Sequence, residues 1–241
     1  MSKPLIIITG ASSGIGEACA RLFSAAGHPL LLLARRIERL EALALPDTLS
    51  RGVDITDRSA LIQAVKEAEA QFGPADALIN NAGVMLLGDI TTQDPAQWEQ
   101  MLDVNVKGLL NGVHAVVAGM VERKHGTIIN VSSVAGRKTF PNHVAYVGTK
   151  FAVHGISENL REELSPHNVR VITIAPGAVE TELLSHTTDE AIKSGYHAWK
   201  QDMGGTVLSA QDVASAIQYA YAQPQNVCIR EIVLAATRQQ A

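Results

Sequence analysis

The residues best suited to acid–base chemistry lie near the middle of the chain. Tyr146 and Lys150, in Tyr146-Val147-Gly148-Thr149-Lys150, are four apart, which sets them one turn apart on one face of a helix. A free phenol has a pKa near ~10, too high for ready proton exchange at neutral pH. A neighbouring ammonium stabilises the phenolate and brings the phenol toward the working range of a general acid/base. Ser132-Ser133 stands just upstream, directly after the apolar run 127–131. A hydroxyl at the end of a strand is well placed to hold a carbonyl oxygen.

A second constellation opens the chain. The apolar run 5–9 leads into Thr9-Gly10-Ala11-Ser12-Ser13-Gly14-Ile15-Gly16, followed at once by a helical pattern. Glycines there allow a tight turn and let backbone N–H groups approach a pyrophosphate, and the helix N-terminus adds the positive end of its dipole. The spacing Gly-x-x-x-Gly-x-Gly departs from the G-x-G-x-x-G fingerprint. The next run, 30–34, ends in Arg35-Arg36, with no carboxylate before Glu38. An acid at that strand end bonds a ribose 2′-hydroxyl, whereas an Arg accommodates a 2′-phosphate. Arg35 is read as the phosphate-binding residue; Arg36 is read either as its partner or as a solvated start to the helix 36–44.

Positioning these groups requires alternating elements, and the pattern supplies them. Short β-rich runs at 5–9, 30–34, 50–53, 77–80, 127–131, 170–174 and 228–234, most of them continuous and apolar, read as parallel strands buried on both faces. Helical patterns at 16–26, 59–72, 95–121, 144–164 and 210–222 separate them. The fold class is therefore α/β: a single doubly wound Rossmann-type domain over 1–241, its seven-stranded parallel sheet flanked by helices on both faces. The polar, Gly-containing segment 180–206 fits no element and reads as a lid over the ligand crevice.

Composition excludes several classes. The net charge is −4, with 18% charged residues of both signs interspersed, so neither nucleic acid nor an anionic membrane is an expected partner. No apolar stretch approaches the ~18 residues of a membrane span, and Thr9-Gly10 ends the first run too early for a secretory segment. Cys19 and Cys228 form no disulfide framework and read as small buried residues in a reducing, cytoplasmic setting. The histidines lack ligand spacing, so no metal site is expected.

Taken together, these residues resemble the short-chain dehydrogenase/reductase family in its non-extended form, along essentially the whole chain. Thr9-Gly10-x-x-x-Gly14-Ile15-Gly16 is similar to the family's cofactor loop, and Asn80-Asn81-Ala82-Gly83 to its signature after the fourth strand. Asn105, Ser133, Tyr146 and Lys150 match the catalytic tetrad. Pro176-Gly177 with Val179 and Thr181 resembles the segment that receives the nicotinamide, and Asp54 the residue beside adenine. Ala34 stands where NAD-dependent members carry an acid and Arg35 where NADP-dependent members carry a base; Ser12 and Ser13 complete the loop.

The resemblance implies an NADP(H)-dependent oxidoreductase acting on a small carbonyl or alcohol. Tyr146 would pass the proton, Ser133 hold the oxygen, Lys150 tune Tyr146 and bind ribose, and Asn105 position a relay water. Family members assemble through the helices at 95–121 and 144–164, so a homodimer or homotetramer is expected. The C-terminal Arg230-Glu231-Ile232-Val233-Leu234, ending in Thr237-Arg238-Gln239, resembles a subgroup acting on 3-hydroxy acids and polar, including sulfonated, aldehydes. Arg137-Lys138 would suit such anions but reads first as a solvated loop. A 3-oxoacyl-[acyl-carrier-protein] reductase is the alternative enzyme, and a non-catalytic NADP(H)-binding regulator the alternative of another class. His143 reads as exposed near a helix start, and Asn111 and His114 as packing or interface residues. Tyr196, His197 and Trp199 either line a substrate pocket or pack within the lid.

Overall fold

The computed structural model describes residues 3–239. Strands β1 (Leu5–Thr9), β2 (Leu30–Ala34), β3 (Thr48–Gly52), β4 (Ala75–Asn80), β5 (Gly126–Val131), β6 (Val169–Pro176) and β7 (Glu231–Leu234) form one sheet. Their order is β3-β2-β1-β4-β5-β6-β7, and every pairing is parallel. The chain crosses from one side of β1 to the other between β3 and β4. Ligands of such sheets sit at this switch point, outside the carboxyl ends of β1 and β4.

The helices are α1 (Gly14–Ala25), α2 (Ile37–Glu41), α3 (Arg58–Phe72), α4 (Pro95–Leu102), α5 (Leu109–Arg123), α6 (Val144–Leu164), α7 (Glu190–Asp202) and α8 (Ala210–Tyr221). They cover both faces. Leu5, Ile7, Leu31 and Leu33 point into one core with α3, α5 and α6. Ile6, Ile8, Leu30 and Leu32 point into the other with α1, α2 and α8. Burial on both sides explains why these strands read as continuous apolar runs, while the edge strands β3 and β7 remain half exposed. Short polar caps set the helix starts: Asp57 accepts from Ala60 N, and Ser209 and Asp212 form a reciprocal capping box.

Several sequence expectations shift. β3 starts two residues earlier than expected, because pairing with Leu30–Ala34 fixes its register rather than its own apolarity. β7 shrinks to four residues, and exposed Cys228 lies outside it, contrary to the expected burial. α2 is confined to five residues. The helix expected at 95–121 is interrupted by a π-helical turn, Asp103–Gly108. Helical from Pro95 to Arg123, this stretch is long and apolar enough to cross a membrane by length and composition, contrary to the sequence reading; here it packs Val113, Val116 and Met120 into the core. The segment 180–206, expected to lack regular structure, contains α7, capped by Asp189.

Candidate active site

One cavity of about 1000 Å³ opens over the carboxyl ends of β1 and β4 and runs from the glycine loop to α7. The loop is built for close approach. Gly10 and Gly14 adopt φ of +66° and +55°, and a Cβ on Gly10 would lie 2.7 Å from the Cα of Ala82. At Gly16 a Cβ would strike the Gly10 carbonyl oxygen, so α1 lies directly against the loop. Asn81 bolts the two turns together: its Nδ2 donates to the carbonyls of Thr9 and Gly10, at 3.1 and 3.2 Å. Thr9 Oγ1 accepts from the amides of Asn81 and Ala82. Ser13 is the N-cap of α1 without a side-chain cap, so the first-turn amides around Ile15 face the cavity mouth.

At the far end of the loop stand the arginines. Arg35 is exposed and lines the cavity beside Asp54. Burial pushes the Asp54 carboxyl up, but hydrogen bonds from the Thr56 amide and hydroxyl, with Arg35 and Lys107 nearby, outweigh it and hold the group below its ordinary value. Arg36 is not a free surface group. Its Nη2 donates to Ser12 Oγ and Ser13 Oγ, at 3.2 and 3.1 Å, and its Nη1 reaches Glu182 Oε2 at 3.1 Å. Arg39 also grips Glu182, at 2.9 Å. Sequence reading missed Arg39 and Glu182, because nothing local links residues 143 positions apart.

The other wall carries the acid–base residues. α6 brings Tyr146 and Lys150 to the cavity, both buried. Lys150 Nζ donates to the Val131 carbonyl at 3.1 Å and lies 5.7 Å from the centre of the Tyr146 ring. Ser133 begins the turn after β5, where its Oγ accepts from Ala135 N at 3.0 Å. Burial pushes the Tyr146 phenol up, the neighbouring Tyr196 adds to this, and a hydrogen bond with Ser133 opposes it. Burial pulls the Lys150 ammonium down to about 8. The ammonium was expected to lower the phenol; within the protein alone, loss of solvent dominates both groups.

Asn105 sits in the π-helical turn. Its Oδ1 accepts from Val84 N at 2.8 Å, and its Nδ2 donates to Val84 O at 2.9 Å and Thr149 Oγ1 at 3.1 Å. The side chain thus ties α6 to the turn after β4. Gly83, without a Cβ, leaves Asn105 and Lys150 close to the cavity.

Pro176, Gly177, Val179 and Thr181 form the remaining wall. Thr181 packs over Gly14 and accepts from Leu183 N, starting a short 3-10 helix over Glu182–His186. Gln239, unassigned from sequence, accepts from Ala178 N at 2.9 Å and closes this wall. Over Tyr146 lies a ring of aromatic side chains: Phe140, His143, Tyr196 and Trp199, with neighbouring centroids 5.3 to 6.5 Å apart. His143 is half-buried in this ring rather than exposed as expected, and burial lowers its pKa against the opposing Pro141 carbonyl. Arg137 and Lys138 are exposed and do not line the cavity. Asn111 packs as expected, holding Arg58 and the Ile55 carbonyl.

The family model described as short chain dehydrogenase matches residues 4–191. The chain belongs to the short-chain dehydrogenase family. An oxidoreductase of Listeria monocytogenes is 38% identical over 247 residues, covering 99% of this chain and 98% of that one. Among solved structures, the closed form of a serine dehydrogenase complexed with NADP+ superposes with a TM-score of 0.90 at 32% identity, covering 98% of this chain and 96% of that one. Serine dehydrogenase from Escherichia coli superposes with a TM-score of 0.84 at 30% identity, covering 98% and 100%. The protein is thus an oxidoreductase of this dehydrogenase family.

Proposed function

We propose that this dehydrogenase binds NADP(H) along the glycine loop and interconverts a small aldehyde or ketone with its alcohol at Tyr146. The observation that carries the reading is that one cavity joins the loop, the arginines and the Ser133–Tyr146–Lys150 group. The residues fit the cofactor. Gly10, Gly14 and Gly16 let the loop pack against Ala82, Thr181 and α1 with no room for a Cβ, so the N-terminus of α1 stands at the cavity wall with its loop. Arg35, with Arg36 and Arg39 behind it, suits a 2′-phosphate, and no acid stands at the end of β2. NADP+ in the similar serine dehydrogenase structure supports the same choice.

When bound, NADPH supplies the hydride for the carbonyl carbon. Tyr146 donates the proton to the carbonyl oxygen; burial keeps its phenol protonated at neutral pH. The Ser133 hydroxyl already accepts from Ala135 N, so its own proton is available to the same oxygen. Lys150, at about 8, exchanges protons readily near neutrality and uses only one of its three donors on Val131. Asn105 holds Val84 and Thr149 so that α6 presents Tyr146 and Lys150 in register.

The substrate end is aromatic. Its cation, Lys200, is paired with Glu180 at 2.5 Å. Arg137 is bound to Glu231 and Lys138 lies over Phe140, so this basic pair lends no support to an anionic substrate. Assembly into a homodimer or homotetramer belongs to the same reading.

Titration of the protein with NADPH and NADH, then absorbance at 340 nm against a panel of small carbonyls, tests it. Selective NADPH binding and turnover are expected, with Tyr146→Phe binding NADPH normally but losing turnover. Failure to bind either nucleotide, or near-normal kcat in Tyr146→Phe, overturns the assignment.

A further inference from the structure

Tyr146, Lys150 and His154 repeat at intervals of four along α6, so a third reactive side chain follows the two already described on the same helical face. His154 points away from the cavity, into a polar chain behind it. Its Nε2 lies 3.0 Å from Glu231 Oε1 in β7, and Glu231 Oε2 takes Arg137 Nη1 at 3.0 Å. Its Nδ1 lies 2.9 Å from Ser132 Oγ and 3.0 Å from the Lys150 carbonyl oxygen. The side chains of His154 and Glu231 are 19% and 28% exposed, so this wiring is shielded more than a surface pair is.

For a neutral ring the donor inventory sets the direction of the Glu231 and Ser132 bonds. An ionised carboxylate only accepts, so neutral His154 carries its proton on Nε2 and donates it to Glu231. Nδ1 is then an acceptor, its approach to the Lys150 carbonyl carries no hydrogen bond, and the one proton of Ser132 lies between two acceptors, Nδ1 and that carbonyl at 3.2 Å. The amide of Ser132 meanwhile donates to Ile174 O at 2.7 Å. At the other end of the same turn a Cβ on Gly136 would collide with the imidazole, so the ring fills the space between α6 and residues 132–136. Ser133 lies within that turn, and the same Cβ on Gly136 would also meet the Lys150 carbonyl oxygen.

We propose that His154 is a positioning residue of the active site: held by Glu231, its imidazole fixes the Ser132 hydroxyl, which also reaches the Lys150 main chain, and through them the Ser133 and Lys150 side chains. This rests on the reading of Ser133 and Lys150 given above. It also gives roles to two sequence features that the chemistry leaves unused. Glu231, from Arg230-Glu231-Ile232, is the acceptor that sets the tautomer, and Arg137 is the cation paired with it that orients its carboxylate.

The test is a kinetic double-mutant cycle in the full chain with Ser132→Ala and Glu231→Gln, two residues that meet only through His154. Each single variant is expected to lower kcat about tenfold with the NADPH Kd within about twofold of wild type, and the double variant to fall no further than the worse single. Unchanged kcat in the single variants, or losses that multiply to about a hundredfold in the double, overturn the proposal. NADPH affinity lost in step with kcat also overturns it, since that marks general loosening. Nitrogen NMR of the neutral imidazole, read without cofactor, gives an independent answer. A proton on Nε2 is expected, and an Nδ1–H tautomer removes the basis of the argument. Wild-type protein that turns over no carbonyl sinks the functional reading itself, and the control shows this before any variant is compared.

Discussion

Lys150 illustrates how function strains a single residue. Its ammonium loses a proton near 8 in the folded protein against 10.5 unperturbed, so the folded state binds fewer protons than the unfolded chain between those values. Stability therefore rises with pH across that window, and below about 8 the full cost of holding a buried charge is present. Lys150→Met is expected to stabilise the cofactor-free protein at pH 7 by on the order of 1–3 kcal/mol while abolishing turnover. Urea unfolding at pH 7 and pH 10 checks it: the gain should shrink at the higher pH, and a variant less stable at pH 7 refutes the sign. Tyr146, Lys150 and Ser133 were legible in the sequence because each sits in a local pattern, a helical interval or a strand end. Arg39, Glu182, Gln239 and the role of His154 were not, since their partners lie tens of residues or more away and only the fold brings them together.

At the scale of elements, the π-helical turn between α4 and α5 matters most. Such turns are rare and recur at functional sites, and its register aims Asn105 at the turn after β4 and at α6. Periodicity predicted one unbroken helix here because the chain is helical on both sides of the turn, over Pro95–Leu102 and Leu109–Arg123. The strands β1 and β2 match their apolar runs end for end and β5 to within a residue, whereas β4 starts two residues earlier, β6 runs on to Pro176, and the edge strands β3 and β7 shift because they bury less and depend on a neighbour for register. α7 escaped notice because its polar sequence leaves no residue buried; its aromatic side chains are only partly covered, over the cavity. Asn105→Ala removes three hydrogen bonds and strands the buried amide and carbonyl of Val84. It is expected to destabilise the fold by about 2–4 kcal/mol and to lower kcat more than tenfold, about the cost of leaving such groups unpaired. Urea unfolding and turnover measured together check this, and a loss below about 0.5 kcal/mol would mean that water replaces the amide.

At the scale of the molecule, six of the eight large apolar side chains exposed among the described residues fall into two sets, Ile90 and Val227 lying apart in loops. Leu102, Leu110, Val144 and Phe151 are exposed on α4, α5 and α6, over one face of the sheet. Tyr219 and Val233 are exposed on α8 and β7, on the other face and at the free edge. Scattered singly such residues need no partner, but two sets on separate sides of one chain suit two isologous contacts and hence a tetramer of two-fold symmetry. A stable contact of this kind covers about 800 Å² per partner, within reach of three adjoining helices. Phe151→Glu puts a charge into the helical contact and Tyr219→Glu into the other. Each alone is expected to yield a dimer, and both together a monomer, by sedimentation velocity. Because one cavity within a single chain brings the glycine loop and the arginines together with Ser133, Tyr146 and Lys150, the monomer should still bind NADPH. A wild-type protein that sediments as a monomer, or a double variant that remains a tetramer, places the contacts elsewhere.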